Sequence, residues 1–439
     1  MTVASKASVL AAGRRLRRSP VAAEIAAMGR RAATALYRVP APEPLRKAGA
    51  RLRRRPGLRT VPIDRFLLGD EGGLPAADYA AATGDLTRPS TTIDRWPHVR
   101  LIEAYRRVGD DLLRAETLGE TDYVRNAMRC VEVTGRYFSA TDEAGVLDVA
   151  RGLLHWAGGG PAPQRGPLGT APGAPVRVRR IRHSECLQVV DGHHRLAIAY
   201  ANGETVADVA VDWKPVWTPM QKLLREMSWL EGRLELYQPL DLPELGPDWA
   251  LVRRCDDRLS KMLAFLGERG LEPSASTSYL DVACCYGWFV AQMQRAGFEA
   301  NGIERDPLGP VVSQHVFQLD PDCIAVGDAV ELLRADARRY DVVSCFSLLH
   351  HFVLGRGSAS AEELAGLLDA TTAKVLFLDT GQEHEEWFRT TLAGWSAGHV
   401  ERWLAANTTF REIVRLGPDE DAVGRYAGNY GRMLFACVR

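Results

Sequence analysis

Hydrophobic and polar positions change their period along this chain. Across residues 61–156 the apolar residues recur at helical spacing. Examples are Leu101, Ala104, Tyr105 and Val108, and then Val146, Val149, Leu153 and Leu154. Residues 157–175 are rich in Gly and Pro and nearly free of large apolar side chains, so they read as a long loop. From Val176 to Ile181 the period drops to two, with Val and Ile alternating against Arg, as in a half-buried strand. The turn His183-Ser184-Glu185 leads into a second strand at 187–190, closed by Asp191-Gly192. A helix is predicted from His193 to Ala201, stopped by Asn202-Gly203, and a further strand covers 206–211. A helix over 219–236, a turn-rich stretch over 237–249 and a helix over 248–266 lead into the last part of the chain.

There the alternation becomes regular. Tyr279-Leu280-Asp281-Val282 is an apolar strand, followed by the small-residue turn Ala283-Cys284-Cys285-Tyr286-Gly287 and a helix start at Trp288. A second strand ends at Gly302-Ile303-Glu304, and a third element ends at Ala325-Val326-Gly327-Asp328. Strands at 340–346 and 374–379 follow, with helical patterns in every gap. Strands and helices alternating at this spacing form a parallel, doubly wound sheet, and ligands bind beyond the carboxyl ends of its strands. The acids stand at those ends. A turn of small residues admits a ligand close to the backbone, an acid on the second strand can accept two ribose hydroxyls, and one after the third can accept an adenine amino group.

Over residues 250–439 this arrangement resembles the class I S-adenosyl-L-methionine-dependent methyltransferases, of Rossmann-like fold. The resemblance implies that Asp281, Ala283, Cys285 and Gly287 form the loop on the methionine side of the cofactor. It makes Glu304 the ribose ligand and Asp328 the adenine contact. Tyr340-Asp341-Val342-Val343 through His350-His351 looks like the family's fourth-strand signature. One departure stands out: the family's loop usually reads acid-x-Gly-x-Gly-x-Gly, and here Ala283 and Cys285 replace two glycines. A side chain at Cys285 is expected to keep the loop in an ordinary backbone region, away from φ > 0. A nicotinamide-binding fold is disfavoured, because pyrophosphate normally requires G-x-G-x-x-G against the helix N-terminus. His350 and His351 close the fourth strand either as candidate general bases or as a pair packed at the strand-to-helix turn. The polar run Thr380 to Phe388, with His384 as its own candidate, is either a substrate-facing loop or an acidic helix start capped by Asp379 or Thr380.

The middle of the chain carries a second motif, Asp191-Gly192-His193-His194-Arg195, at a helix N-terminus. Backbone donors, the helix dipole and a guanidinium converge there, as in a phosphate site. The strand–DGHHR–helix–strand pattern resembles the ParB/sulfiredoxin-like fold over residues 176–212. That resemblance implies a nucleotide-binding loop and, with it, a nucleoside triphosphate with Mg as a second ligand. His193 and His194 would contact phosphate, Asp191 a metal or hydroxyl, and Glu185 would be an acid within reach. A degenerate fold kept for packing is the alternative. Zinc on the two adjacent histidines is disfavoured, since no further ligands stand at suitable spacing.

Charge adds a third region. The 439 residues hold 55 basic and 55 acidic side chains, yet residues 1–60 carry 15 Lys plus Arg against Glu24 and Glu43. A basic tail on an acidic body suggests peripheral contact with an anionic membrane, at the inner face of a cytoplasmic location, or else a solvated, poorly ordered tail. The eight cysteines include no C-x-x-C pair and read as thiols of a reducing compartment. No apolar run approaches the ~18 residues of a membrane span.

The expected organisation is therefore a basic tail (1–60), a smaller α+β ParB/sulfiredoxin-like domain (61–215), a connecting helix and linker (216–249) and a methyltransferase domain (250–439). The expected activity is O-methylation of a small-molecule or glycan acceptor, with an accessory nucleotide-binding domain. The alternative is a nucleotide-dependent phosphotransferase whose methyltransferase-like half is a second activity or a sensor. A partition-type nucleic-acid-binding protein is disfavoured by the acidic body and the lack of a helix-turn-helix.

Overall fold

The computed structural model describes residues 57–162, 174–227 and 233–439. Most of the basic tail, and much of the Gly/Pro-rich stretch, lie outside the described residues. Strand β1 (Gly57–Pro62) takes in the last four residues of the span read as tail. The short β2 (Phe66–Leu67) follows. Helices α1 (Ala76–Thr83), α2 (Pro97–Val108), α3 (Ala115–Gly119), α4 (Asp122–Thr134) and α5 (Glu143–Ala157) then fill the stretch read as helical. On α2 the buried face is Val99, Leu101 and Ile102. Val108, expected on the apolar stripe, is exposed because the helix ends there at Gly109.

Strands β3 (Val176–Ile181) and β4 (Leu187–Asp191), helix α6 (His193–Ala201) and β5 (Val206–Val216) complete a five-stranded mixed sheet of order β1-β5-β3-β4-β2. Helix α7 (Pro219–Glu226) starts in a capping box of Thr218 and Gln221. The helix expected over 219–236 is shorter: Glu235–Leu236 is a strand, β6, pairing in parallel with β7 (Ala250–Leu251). That pairing also pushes the next helix later than expected. Helix α8 spans Asp256–Glu268, and its first N–H groups are capped from far away. Asp421 Oδ1 accepts from Asp257 N–H at 2.8 Å, and Asp421 Oδ2 from Arg258 N–H at 3.3 Å.

The rest alternates as expected: β8 (Ser278–Val282), α9 (Trp288–Ala296), β9 (Glu299–Glu304), α10 (Leu308–Phe317), β10 (Ile324–Val326), α11 (Ala329–Ala335), β11 (Tyr340–Cys345), α12 (Leu349–Val353), α13 (Ala361–Thr371) and β12 (Thr372–Leu378). Helix α14 (Ala397–Asn407) and an antiparallel hairpin, β13 (Glu412–Pro418) and β14 (Met433–Val438), close the chain. The sheet order is β10-β9-β8-β11-β12-β14-β13, parallel except for the hairpin. A Rossmann-like α/β domain is thus confirmed, preceded by a smaller α+β sheet region. The sheet differs from a fully parallel dinucleotide-binding one by the inserted antiparallel β14. Crossovers reverse direction between β8 and β11, the switch point where a crevice opens.

One apolar core lies under the five-stranded sheet and two flank the seven-stranded one. A fourth joins Met220, Leu224 and Met227 of the connecting segment to Tyr286 and Val312 of the C-terminal region. Residues Leu58–Arg439 cluster as one unit. All eight cysteines are free. Among the described residues no helix is long and apolar enough to cross a membrane, and no group of three or more ligating side chains is placed to hold a metal ion.

Candidate functional site

The crevice beyond β8 to β11 holds a cavity of about 950 Å³. Its geometry begins at the turn after β8. Ala283 (φ 66), Cys285 (φ 56) and Gly287 (φ 77) are all left-handed. The expectation that Cys285 would keep an ordinary backbone is corrected: the alternating positive φ of a glycine loop persists with side chains present. Hydrogen bonds hold it there. Cys284 N–H donates to Ile303 O at 2.9 Å, Cys285 N–H to Glu304 Oε2 at 2.7 Å and Gly287 N–H to Cys284 O at 2.8 Å. From the connecting segment, Gln238 Oε1 accepts from Tyr286 N–H at 3.1 Å and from Trp288 N–H at 3.4 Å.

Ala283, Cys285, Glu304 and Asp328 all line the cavity. Glu304 Oε1 also accepts from Asp306 N–H at 2.8 Å, and burial raises the pKa of its carboxyl. Asp328 caps α11, its Oδ1 accepting from Val330 N–H at 3.0 Å and from Ser358 Oγ–H at 2.7 Å. Burial would raise its pKa, but the Ser358 hydroxyl and the backbone donors lower it overall. Asp281 and Gly287 are not among the lining residues. Asp281 lies beneath, accepting from Ser344 Oγ–H at 2.6 Å, and burial pushes its carboxyl up to about 7.

The opposite end of the cavity is formed by α12, the loop after β12 and the segment just before β14. His350, His351, Trp387, Phe388, Tyr430 and Arg432 line it. His350 is buried, its Nδ1 accepting from Gly381 N–H at 3.2 Å, while His351 is exposed at the rim with its ring centroid 4.3 Å away. His384 lies elsewhere, exposed, with Nε2–H donating to Tyr430 O at 3.0 Å. Two of the three candidate histidines therefore meet at the cavity. Residues 380–388 form no helix, and Asp379 caps none. Its carboxylate is fully buried against Arg253 at 3.4 Å and Arg258 at 3.3 Å. Burial would raise its pKa, yet Arg253, Arg258 and Arg432 hold it well below the usual carboxylate range.

Several lining residues carry no local sequence signal. Tyr237 and Met227 reach the cavity from the connecting segment, Ser347 stands at φ 58 after β11, and Tyr430 and Arg432 come from the hairpin. Arg432 makes a two-point pair with Glu385, at 2.8 and 2.9 Å. Residues 428–433 are Gly-Asn-Tyr-Gly-Arg-Met, a turn before an apolar run, and only their distance from other charges hints at a role.

In the five-stranded region the DGHHR histidines turn inward. His193 Nε2–H donates to Leu68 O at 2.7 Å, and His194 Nε2 meets Tyr123 Oη at 2.9 Å. Burial lowers His193 to about 4 and His194 to about 3. His98 stacks on His193 with centroids 5.6 Å apart. Gly192 is the N-cap of α6 and Arg195 Nη2 pairs with Asp191 Oδ2 at 3.3 Å. Glu185 sits apart, exposed, 3.4 Å from Arg65.

No protein-family profile matches this chain, and no curated protein matches it. Solved structures do. WbdD, described as a bifunctional kinase-methyltransferase, is 18% identical over 50% of this chain and 46% of its own, with a TM-score of 0.39. Less than half of the length of WbdD is thus spanned. Magnesium protoporphyrin IX methyltransferase from Synechocystis PCC 6803, with bound SAM, is 16% identical over 42% of this chain and 78% of its own, TM-score 0.31. A SAM-dependent methyltransferase from Archaeoglobus fulgidus is 14% identical over 42% and 95%, TM-score 0.30.

Proposed function

We propose that this chain is an S-adenosyl-L-methionine-dependent O-methyltransferase acting on a small-molecule or glycan acceptor. The observation that carries this is the loop after β8. It keeps a left-handed course beside two carboxylates at strand ends, while Gln238 occupies the backbone donors at the start of α9. Those donors are what a pyrophosphate would need. A cofactor without phosphate suits the loop, and the residues present fit it. Each Glu304 oxygen takes one backbone N–H and keeps a lone pair for a ribose hydroxyl. Asp328 Oδ2 is open toward an adenine amino group, and Cys285 and Met227 offer apolar walls. When bound, S-adenosylmethionine supplies the electrophilic methyl group. The protein's part is to align an acceptor oxygen with it, which accounts for most of the rate in such transfers.

The middle region is proposed as an accessory nucleotide-binding module, with Arg195 as the phosphate contact. Among the described residues its Nη1 is buried without a hydrogen-bond partner, and the side chain is otherwise tied only to Asp191. The inward histidines favour orientation of this loop over direct phosphate contact. The basic tail is proposed as a contact for anionic membrane.

Calorimetric titration of S-adenosylmethionine tests the main assignment. Hydrogen bonds to a charged group are worth roughly 1.5–3 kcal/mol each. Glu304→Ala should weaken binding at least tenfold, and Glu304→Gln, which keeps one acceptor oxygen but sets its amide NH2 against the other backbone N–H, should also weaken it. Unchanged affinity in a folded Glu304→Ala variant would remove the cofactor assignment.

A further inference from the structure

His350 has one ring nitrogen committed and one open. The side chain is 4% exposed. Its Nδ1 faces Gly381 N–H at 3.2 Å, and a backbone N–H only donates, so Nδ1 holds a lone pair. Burial, with Arg432 and His351 adding to it, lowers this imidazole to about 2, so the ring is neutral and its proton sits on Nε2. The ring lines the cavity, and Nε2 has no hydrogen-bond partner among the described residues. The arrangement is tightly built: a Cβ at Gly381 would lie 3.1 Å from His350 Cγ and 2.6 Å from Phe388 Cε2. An N–H that opens on the cavity with no protein acceptor is free to donate to a ligand atom with a lone pair.

Other polar groups at this end are spent within the protein. Ser347 Oγ accepts from Arg253 at 3.0 Å and from Arg432 at 2.8 Å, so its own proton goes to Asp379 Oδ1 at 3.2 Å. Glu385 and Asp379 are turned into their arginines and do not line the cavity. Arg305 and Arg356 do line it, and neither makes a salt bridge with a described residue. Of the lining acids, Glu304, Asp306 and Asp328 gather at the cofactor end, on β9 and after β10, and Glu226 ends α7.

We propose that the methyl acceptor is an oxyanion, a carboxylate or a phosphate. One of its oxygens accepts the His350 Nε2–H while another is methylated, and Arg305 and Arg356 draw the anion in. This rests on the methyltransferase function proposed above. A lone pair of the ionised oxygen forms the O–CH3 bond. The S–CH3 bond of S-adenosylmethionine breaks, its electron pair stays on sulfur, and S-adenosylhomocysteine remains. No proton is taken or released, so no base is required. A hydroxyl acceptor would require one, and among the described residues His351 is a cavity imidazole with neither nitrogen hydrogen-bonded.

The test is calorimetric titration of the full chain, saturated with S-adenosylhomocysteine, with benzoate, phenyl phosphate and benzyl alcohol. The ring in each probe matches the wall of Trp387, Phe388 and Tyr430. Binding of either anion with no binding of benzyl alcohol supports the proposal, and the tighter anion identifies the oxyanion. His350→Phe should weaken anion binding at least tenfold. His350→Gln, which restores an N–H, should stay within about threefold of wild type, with S-adenosylhomocysteine affinity unchanged in both. Preference for benzyl alcohol, no anion binding, or anion binding unaffected by His350→Phe would each overturn the proposal. Transfer to the preferred probe in weak buffer should release no proton, and one proton per turnover would equally overturn it. Failure of S-adenosylhomocysteine to bind the wild-type chain would instead remove the methyltransferase function itself.

Discussion

Replacing Ala283 by glycine should stabilise the protein, although glycine ordinarily weakens a fold. Ala283 stands at φ 66 in the turn after β8, half-buried. An L-residue in that region costs roughly 1–2 kcal/mol relative to the right-handed one. Against this, glycine adds about 0.4–1 kcal/mol of unfolded-state entropy. The lost methyl group, at partial burial, costs less than the ~0.8 kcal/mol of a fully buried carbon. These terms combine to between about −0.8 and +1.6 kcal/mol for Ala283→Gly, centred near +0.4 kcal/mol. Had the turn an ordinary backbone, the strain relief would vanish and the same change would cost roughly 1 kcal/mol. Ala283→Val magnifies the contrast, because a β-branched residue at positive φ is a true outlier. It should cost at least about 2 kcal/mol, against a few tenths in an extended turn. Urea denaturation followed by circular dichroism measures both, with an unchanged m-value showing that only stability moved. Loss of about 1 kcal/mol in Ala283→Gly, with Ala283→Val near wild type, would refute the left-handed course of this loop.

Acid should weaken the five-stranded region early. His193 and His194 have folded pKa values of about 4 and about 3, below the ordinary 6.5. Their contribution is therefore present above about pH 6.5 and lost as the pH falls toward 4, since the unfolded chain takes up protons first. At 1.36 kcal/mol per unit either histidine accounts for roughly 3–5 kcal/mol. His194→Gln should flatten the fall in denaturation midpoint between about pH 7.5 and 5, and a wild-type midpoint constant over that range contradicts the burial. Deleting residues 1–56 should abolish co-sedimentation with anionic vesicles at low salt and leave the melting temperature unchanged. The wild-type interaction should fade as the Debye length shrinks from ~10 Å at 0.1 M salt to ~3 Å at 1 M. Sedimentation that survives the deletion would place the contact elsewhere.

The parts of the fold that local pattern determines are legible in the residues themselves. Five parallel strands, the helix from His193 to Ala201 and the strand-end acids Glu304 and Asp328 each follow from a period or a cap within a few residues. What is not legible depends on partners far along the chain. Helix α8 begins at Asp256 because Asp421 caps it, accepting the Asp257 N–H from 164 positions away, whereas the N-cap residue itself, Cys255, makes no side-chain capping bond. The turn at Cys285 departs from its backbone propensity because Glu304 and Gln238, both distant in sequence, take the turn's backbone donors. On position alone His384 equals His350 as a candidate. Yet the loop carrying it turns its ring to Tyr430 O, while Gly381 turns His350 into the cavity.

The His350 end of the cavity owes its form to charge as much as to apolar packing. Arg253, Arg258 and Arg432 are buried together with Asp379, Asp419, Asp421 and Glu385. Arg253 stands 2.6 Å from Asp419 and Arg258 2.9 Å from Asp421. Such a network contributes little net stability, because desolvation of each ion consumes most of the Coulomb gain, and apolar residues of equal volume would often serve as well. It secures position instead. Asp379 accepts Ser347 N–H at 2.6 Å and so holds that residue at its positive φ. Glu385 accepts Trp387 Nε1–H at 3.0 Å, fixing an indole that is 40% exposed on the cavity wall. Arg253 and Arg432 lie 4.1 and 4.8 Å from the centre of the Tyr430 ring. The carboxylates of the network thus spend their lone pairs on the protein, and the surface left facing the cavity is made of rings and donors. Apart from the imidazole of His351 at the rim, such a wall offers no group to take a proton, and it matches the proposed acceptor that has already lost one.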